Sequence, residues 1–145
     1  MTQPVTIAMI EDDEGHARLI EKNLRRAGVS NAIVPLTDGA RAIRYLFGPD
    51  GSGIAHKGRP LLVLLDLNLP DMSGIDILKR LKENEHLRLS PVVVLTTTDD
   101  HVEIRRCYDL GCNVYITKPV DYEKFAHAIQ QFGLFMYVMQ VPEAI

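Results

Sequence analysis

Short apolar runs alternate with amphipathic segments along the whole chain. Apolar runs that stop at a polar residue predict β-strands at 5–10, 32–36, 61–65, 91–95 and 114–116. The runs at 61–65 and 91–95 are apolar throughout, which is typical of strands buried on both faces of a parallel sheet. Between the strands, apolar residues recur at helical spacing and predict helices at 14–27, 40–46, 75–84, 101–110 and from 122 onward. Strict β-α alternation therefore predicts a doubly wound α/β fold.

Polar residues follow four of these strands. Because the carboxyl ends of parallel strands meet at one edge, Glu11, Asp12, Asp66, Thr96 and Lys118 are expected to lie close together. Three crowded carboxylates repel each other unless a cation lies between them, and an all-oxygen site suits Mg²⁺. With an added hydroxyl and ammonium, such a site can neutralise phosphoryl oxygens while a carboxylate attacks phosphorus. Asp66 is the predicted nucleophile because it lies between the acid pair and the Thr/Lys pair.

Size and composition restrict the class of protein. The 145 residues, 46% hydrophobic and 24% charged, predict one domain over 1–145 with a core that needs no disulfide or structural metal. A net charge of -3 provides no basic field for nucleic acid. With no leader pattern and no apolar run near the roughly 20 residues of a membrane span, a cytoplasmic protein without a membrane partner is expected. The two cysteines and five histidines lack metal-ligand spacing, and the histidines are expected at the surface or in loops.

The order and context of the strand-end residues resemble the receiver domain of two-component response regulators. The likeness runs from residue 5 to about 132. It rests on these elements: Glu11-Asp12, Asp66 within Leu65-Asp-Leu-Asn-Leu-Pro-Asp-Met-Ser-Gly74, Thr96, Tyr115 and Lys118-Pro119. The resemblance implies a flavodoxin-like (βα)5 fold with a five-stranded parallel sheet in the order 2-1-3-4-5.

For the metal, the resemblance implies Mg²⁺ bound by four residues. Asp12 and Asp66 would be ligands through their side chains, Asn68 through its backbone carbonyl, and Glu11 through a water molecule. Asp66 would also be the phospho-acceptor, and a sensor histidine kinase would be the donor. The protein would then be a signalling domain and not an enzyme, since it would catalyse only its own phosphorylation and slow dephosphorylation.

For the phosphoryl group, the resemblance implies contacts from Thr96 and Lys118. Tyr115 would be the switch aromatic that turns inward when Thr96 moves, which would change partner binding. The Lys118-Pro119 peptide would be cis, as is common in the family. Other interpretations are simpler: Thr96 and Tyr115 could be only strand and core residues, and Glu11 and Asp13 could be helix N-terminal charges. Lys118 has little structural reason to stand before proline at a strand end.

Two other functions are compatible with a carboxylate at this place. A haloacid-dehalogenase-like phosphatase also uses an aspartate after a strand, but it requires a second Asp two residues further on, where this chain has Asn68. A receiver-like adaptor that never accepts phosphate usually lacks the acceptor, the acid pair or the lysine, and all are present here. Both alternatives are therefore less favoured than a phosphorylated receiver.

The segment 132–142 is apolar and uncharged, with more apolar surface than one helix stripe on the sheet requires. Either it folds back over its own core or it contacts a protein partner. It resembles the aromatic-rich tail used for homodimerisation by regulators associated with phytochrome-like sensor kinases, which implies a bacteriophytochrome as the kinase. We expect a two-fold homodimer with these residues at the interface: Phe132, Leu134, Phe135, Val138 and Val141. Gly133 stands where that tail has a second aromatic, which predicts the loss of one dimer contact.

Overall fold

The strands and helices form a doubly wound α/β unit in the computed structural model, which describes residues 4–136 and 139–145. The strands are β1 (Thr6–Ile10), β2 (Ile33–Leu36), β3 (Leu61–Leu65), β4 (Val92–Thr96) and β5 (Val114–Thr117). The helices are α1 (Glu14–Arg26), α2 (Gly39–Phe47), α3 (Gly74–Glu83), α4 (His101–Leu110) and α5 (Tyr122–Met136). All strand pairs are parallel, in the order β2-β1-β3-β4-β5. The predicted fold class and strand order are confirmed.

The core lies on both faces of the sheet. Every residue of β3 and β4 is buried, as their uninterrupted apolar runs predicted. Alternate residues point to opposite faces, so that Val63 packs among residues of α2 and α3 while Leu64 packs among residues of α1 and α5. The central strands are therefore fixed from both sides, and their ends form a rigid base for the residues that follow them.

The helix beginnings are capped by short polar side chains. Asp13 is the N-cap of α1, where its Oδ1 accepts from the backbone N–H of His16 at 2.9 Å, and the interpretation of Asp13 as a helix N-terminal residue is confirmed. The predicted N-cap Asp38 accepts from the N–H of Arg41 at 2.7 Å. Gly111 ends α4 with φ 105°, a left-handed conformation that favours glycine.

The connection between α2 and β3 forms one short 3₁₀ turn, Ile54–His56. His56 is buried, and its Nε2 lies 2.7 Å from the backbone oxygen of Tyr45. His56 lies in a loop, as the expectation of surface or loop positions for the histidines allowed, and the turn buries its ring against the Tyr45 ring. Among the described residues, no helix combines the length and apolar content that a bilayer span requires.

The described end of the chain returns to its own domain. Ala144 is buried, and it exchanges backbone hydrogen bonds with the segment before β3: its N–H donates to Arg59 at 2.9 Å, and its oxygen accepts from Gly58 at 2.8 Å. Phe132 is also buried, packed with residues of α1 and the sheet. Its assignment to a dimer interface is wrong, because α5 uses this ring to cover its own core.

Gly133 has a structural reason in this chain. A Cβ atom at this position would lie 2.7 Å from the Cβ of Ala27, because α5 crosses the end of α1 at close range. The glycine is therefore required by the contact between the two helices. The loss of one dimer contact at position 133 stays a prediction.

Candidate functional site

The strand-end acids converge at one edge of the sheet. Ile10 and Leu65 are paired in register, and the N–H of Asp66 donates to the oxygen of Ile10 at 3.0 Å, so the residues after β1 and β3 lie side by side. Glu11, Asp12 and Asp66 each provide a carboxylate oxygen within 4.8 Å of the others. Glu11 and Asp66 are buried, whereas Asp12 is exposed. The cluster thus combines two desolvated carboxyls with one that faces solvent.

Lys118 supplies a cation to this cluster from the end of β5. Its Nζ donates to Asp66 Oδ2 at 3.0 Å, to Glu11 Oε1, and to His16 Nδ1 at 3.1 Å. The Lys118 side chain is only 2% exposed, so these contacts replace the water that an ammonium normally holds. A buried lysine without such partners would be unstable, and its position after β5 is therefore tied to the two carboxyls.

The Lys118-Pro119 peptide is trans, and the prediction of a cis peptide is wrong for this structure. With this trans peptide, the Lys118 side chain already points into the site. The backbone N–H of Lys118 donates to the oxygen of Thr96 at 2.7 Å. Since the two isomers of an X–Pro bond differ by only about 0.5–1 kcal/mol, local packing decides which one forms.

The pKa values of the two buried carboxyls, Glu11 and Asp66, are shifted in opposite directions. Burial raises the pKa of Glu11 to about 7, against the lowering effect of Lys118. Burial also opposes ionisation of Asp66, but the hydrogen bonds from Glu11 and the Asn68 N–H, with the charge of Lys118, hold its pKa below the ordinary value. Near neutral pH, Asp66 is therefore ionised, as a nucleophilic carboxylate must be, while Glu11 can retain a proton.

The loop after β3 holds Asp66 in a fixed orientation. The N–H of Asn68 donates to Asp66 Oδ1 at 3.1 Å, so the lysine and the loop bind different oxygens of the same carboxylate. Where the loop closes, a Cβ on Gly74 would lie 2.4 Å from the backbone oxygen of Asp66. Only glycine fits this approach, which explains the Gly at the start of α3.

The hydroxyl predicted at the end of β4 lies at the rim of this loop. Thr96 is buried, and its Oγ1 accepts from Asn68 Nδ2 at 3.3 Å. The same amide donates to Thr98 Oγ1 at 3.4 Å, and the backbone oxygen of Thr98 accepts from the Tyr115 hydroxyl at 2.6 Å. Asn68 and Tyr115 therefore both contact the segment that follows β4. This segment links the loop of Asp66 to β5.

The donor chemistry of the cluster fits a hard divalent cation. Carboxylate oxygens at a solvent-facing edge are the ligands that Mg²⁺ prefers, since the ion keeps several of its waters. His16 was missed as a site residue because it shows no ligand spacing in the sequence. A positional signal existed: His16 lies four residues after Asp12, on the first turn of α1, next to the edge where the strands end.

Comparison with known proteins places the chain in a family. The family model described as the response regulator receiver domain matches residues 7–130. The chain belongs to this family.

Individual members show how far the similarity extends. Response regulator Rcp1 of Synechocystis is 34% identical over 134 residues, which cover 90% of this chain and 90% of Rcp1. The crystal structure of a response regulator receiver domain from Rhodospirillum rubrum matches with a TM-score of 0.95 and 72% identity, covering 96% of this chain and 98% of that chain. The phosphorylated cyanobacterial phytochrome response regulator RcpA matches with a TM-score of 0.83 and 33% identity, covering 95% and 98%.

These relatives bear on the type of receiver. Receiver domains are signalling domains of two-component systems, and this chain resembles the phytochrome-associated type. A structure of Rcp1 is of its Mn²⁺-bound form, which agrees with divalent-metal binding by an acidic cluster of the kind formed here by Glu11, Asp12 and Asp66. The predicted family resemblance is confirmed.

Proposed function

We propose that this chain is a response regulator that accepts a phosphoryl group from a sensor histidine kinase on Asp66, in a Mg²⁺-dependent reaction that switches partner binding. The observation that carries the proposal is the position of Asp66 within the acidic cluster, with the Lys118 ammonium 3.0 Å from its Oδ2. A lone surface aspartate would lack both the cation and the neighbouring carboxyls.

The residues have separate tasks in this reaction. A carboxylate oxygen of Asp66 attacks phosphorus, the bond from phosphorus to the donor nitrogen breaks, and its electron pair leaves with the donor imidazole. Lys118 and Thr96 hold phosphoryl oxygens. Asp12, Asp66, the Asn68 carbonyl and, through water, Glu11 would hold Mg²⁺. When bound, the ion neutralises the charge that gathers on the transferring group.

The switch follows from the contacts of the segment after β4. Thr96 now shares its hydroxyl with the Asn68 amide, and a phosphoryl group would compete for both. Movement of Thr96 displaces Thr98, whose backbone oxygen holds the Tyr115 hydroxyl. Tyr115 then changes position, and the surface of α4, β5 and α5 changes with it.

Phosphorylation by acetyl phosphate and Mg²⁺, followed by intact mass, tests the acceptor. We expect one phosphoryl adduct on the wild type, none on Asp66→Asn, and an unchanged adduct on the control Asp109→Asn, which alters an exposed carboxylate on α4. An adduct on Asp66→Asn at the wild-type level would refute Asp66 as the acceptor. Release of phosphate without an adduct would indicate a phosphatase, and the absence of reaction would indicate an adaptor.

The proposed partner is a sensor histidine kinase, in this case a bacteriophytochrome in the cytoplasm, with no role for nucleic acid or membrane. Support comes from RcpA, a phytochrome response regulator, and from structures of bacteriophytochrome response regulators at 34% identity. Phosphotransfer from a panel of purified histidine kinases tests this part. Transfer from a phytochrome kinase should be faster than from unrelated kinases, and equal rates would contradict it.

We expect a homodimer that uses the exposed end of α5 and the adjoining tail. Leu134 and Phe135 are 59% and 51% exposed, and Val141 is partly buried on the returning tail. Val138, also predicted at the interface, lies outside the described residues. The interface therefore depends on Leu134, Phe135 and Val141, without Phe132.

Light scattering after size exclusion tests the dimer without phosphate. Leu134→Asp should convert a dimer into a monomer. Ile54→Asp is the matched control, because Ile54 is 57% exposed but lies on the 3₁₀ turn. A monomeric wild type at micromolar concentration, or a dimeric Leu134→Asp variant, would contradict this interface.

A further inference from the structure

His16 contacts the site, yet the proposed reaction assigns it no task. It lies on the first turn of α1, and its side chain is 38% exposed. Its Nδ1 lies 3.1 Å from Lys118 Nζ. The imidazole ring packs against Phe125 of α5, with ring centroids 5.6 Å apart and planes inclined by 54°. Phe125 is buried, so this contact restricts the rotation of the imidazole.

The three contacts of Lys118 match the three donors of an ammonium group. Glu11 Oε1 and Asp66 Oδ2 are anionic or potentially anionic acceptors, and His16 Nδ1 is the third. For Nδ1 to accept, the ring proton must lie on Nε2. With all three bonds made, the buried ammonium has a complete set of partners although its side chain is almost fully removed from water.

The three partners differ in what happens to them during phosphorylation. Phosphorus would take an oxygen of Asp66, and Glu11 would bind a water molecule of the divalent ion, so both carboxylates would exchange their bonds to Lys118 for other partners. The bond to His16 needs no exchange, because the proposed reaction places neither phosphorus nor the divalent ion on Nδ1, which lies 3.9 Å from Glu11 Oε1. We propose that His16 is a positioning residue that keeps the Lys118 ammonium at the acceptor oxygen while the carboxylate partners change.

Two contacts hold His16 in place for this task. Its backbone N–H is fixed by the side chain of Asp13, and its ring by Phe125. The proposal rests on the function proposed above, since it concerns the lysine that would receive the phosphoryl oxygens. It also makes a claim about the unphosphorylated protein, namely that Nδ1 accepts from Lys118.

A pair of variants separates the nitrogen from the ring. His16→Phe keeps an aromatic ring against Phe125 but lacks Nδ1, whereas His16→Asn retains an acceptor near the position of Nδ1 and loses the ring. We expect His16→Phe to slow phosphorylation by acetyl phosphate by roughly three- to tenfold, the effect of a partly exposed hydrogen bond to a charged group. His16→Asn should stay within about twofold of the wild type. The control His127→Phe, on the exposed face of α5, should have the wild-type rate.

Two readouts exclude a merely structural effect. Calorimetric Mg²⁺ affinity and the thermal midpoint should be similar in both His16 variants and the wild type, because Nδ1 is not expected to bind the metal. A normal rate in His16→Phe, or slowing in His16→Asn as large as in His16→Phe, would overturn the proposal. The first result would make Nδ1 dispensable, and the second would assign the effect to the ring.

Nitrogen NMR of the unphosphorylated protein reads the same bond without any reaction. At about pH 8, His16 should show the Nε2–H tautomer with Nδ1 as the acceptor. Lys118→Met should alter the Nδ1 shift. A Nδ1–H tautomer would overturn the proposal. Failure of the wild type to accept phosphate would instead refute the function proposed above, and this measurement would still decide the contact.

Discussion

Replacement of Lys118 by methionine should destabilise the protein more strongly as the pH rises. The substitution keeps a long unbranched side chain but removes the ammonium that contacts both Glu11 and Asp66. Two buried carboxyls then face each other without their cation. The breaking of a buried ion pair by removal of one partner costs about 3–5 kcal/mol, because the remaining charge is desolvated.

The size of the loss depends on the protonation of Glu11. Burial raises the pKa of Glu11 from 4.5 to about 7 in the wild type, and removal of Lys118 raises it further. An acid with a raised folded-state pKa weakens the fold as the pH rises above its unfolded value, until the pH reaches the folded value. The free energies of unfolding of wild type and variant therefore diverge only above the wild-type pKa of Glu11, by at most about 1.4 kcal/mol per pH unit. We expect losses of about 2 kcal/mol near pH 6 and about 3–4 kcal/mol near pH 8.

Urea unfolding in EDTA at these two pH values measures the difference. The control is Lys57→Met, which removes an exposed lysine in the connection before β3 and should change stability little at either pH. Addition of Mg²⁺ should restore most of the loss in Lys118→Met, since the ion replaces the missing positive charge among the carboxylates. Equal losses at both pH values, or a variant more stable than the wild type in EDTA, would refute the reasoning.

Two further substitutions test the packing around the site. Gly133→Ala gains about 1 kcal/mol of helix propensity but forces its Cβ to within 2.7 Å of Ala27, at a cost of about 1–3 kcal/mol. A net loss is expected in urea unfolding, whereas Gly15→Ala, at an exposed position of α1, should show none. A stabilised Gly133→Ala would contradict the contact. The Asp71 carboxylate accepts from the first two amides of α2 at 2.7 and 2.9 Å, which lowers its pKa. Asp71→Asn should therefore lower the thermal midpoint at neutral pH, with a difference that shrinks as the pH falls through the pKa of Asp71; a constant difference would refute this.

The sequence alone determined the fold and the convergence of the acidic residues at one edge of the sheet. Uninterrupted apolar runs such as 61–65 can be buried only inside a sheet covered on both faces, and strict β-α alternation makes the strands parallel. Parallel strands bring their carboxyl ends to one edge. Glu11, Asp66 and Lys118 therefore converge there, however the helices pack on the sheet. The direction of the strands is sufficient for this convergence, whatever the side-chain packing.

The tertiary structure alone decided the features that depend on contacts between distant segments. His16 became part of the site because the first turn of α1 lies beside the end of β5, a proximity that no spacing in the sequence records. Gly133 faces Ala27, and Phe132 enters the core, because α5 crosses α1 at close range. The return of Ala144 to the segment before β3 likewise depends on backbone hydrogen bonds between residues far apart in the chain. Local patterns report burial and direction, whereas the identity of each contact is set by how the helices pack on the sheet.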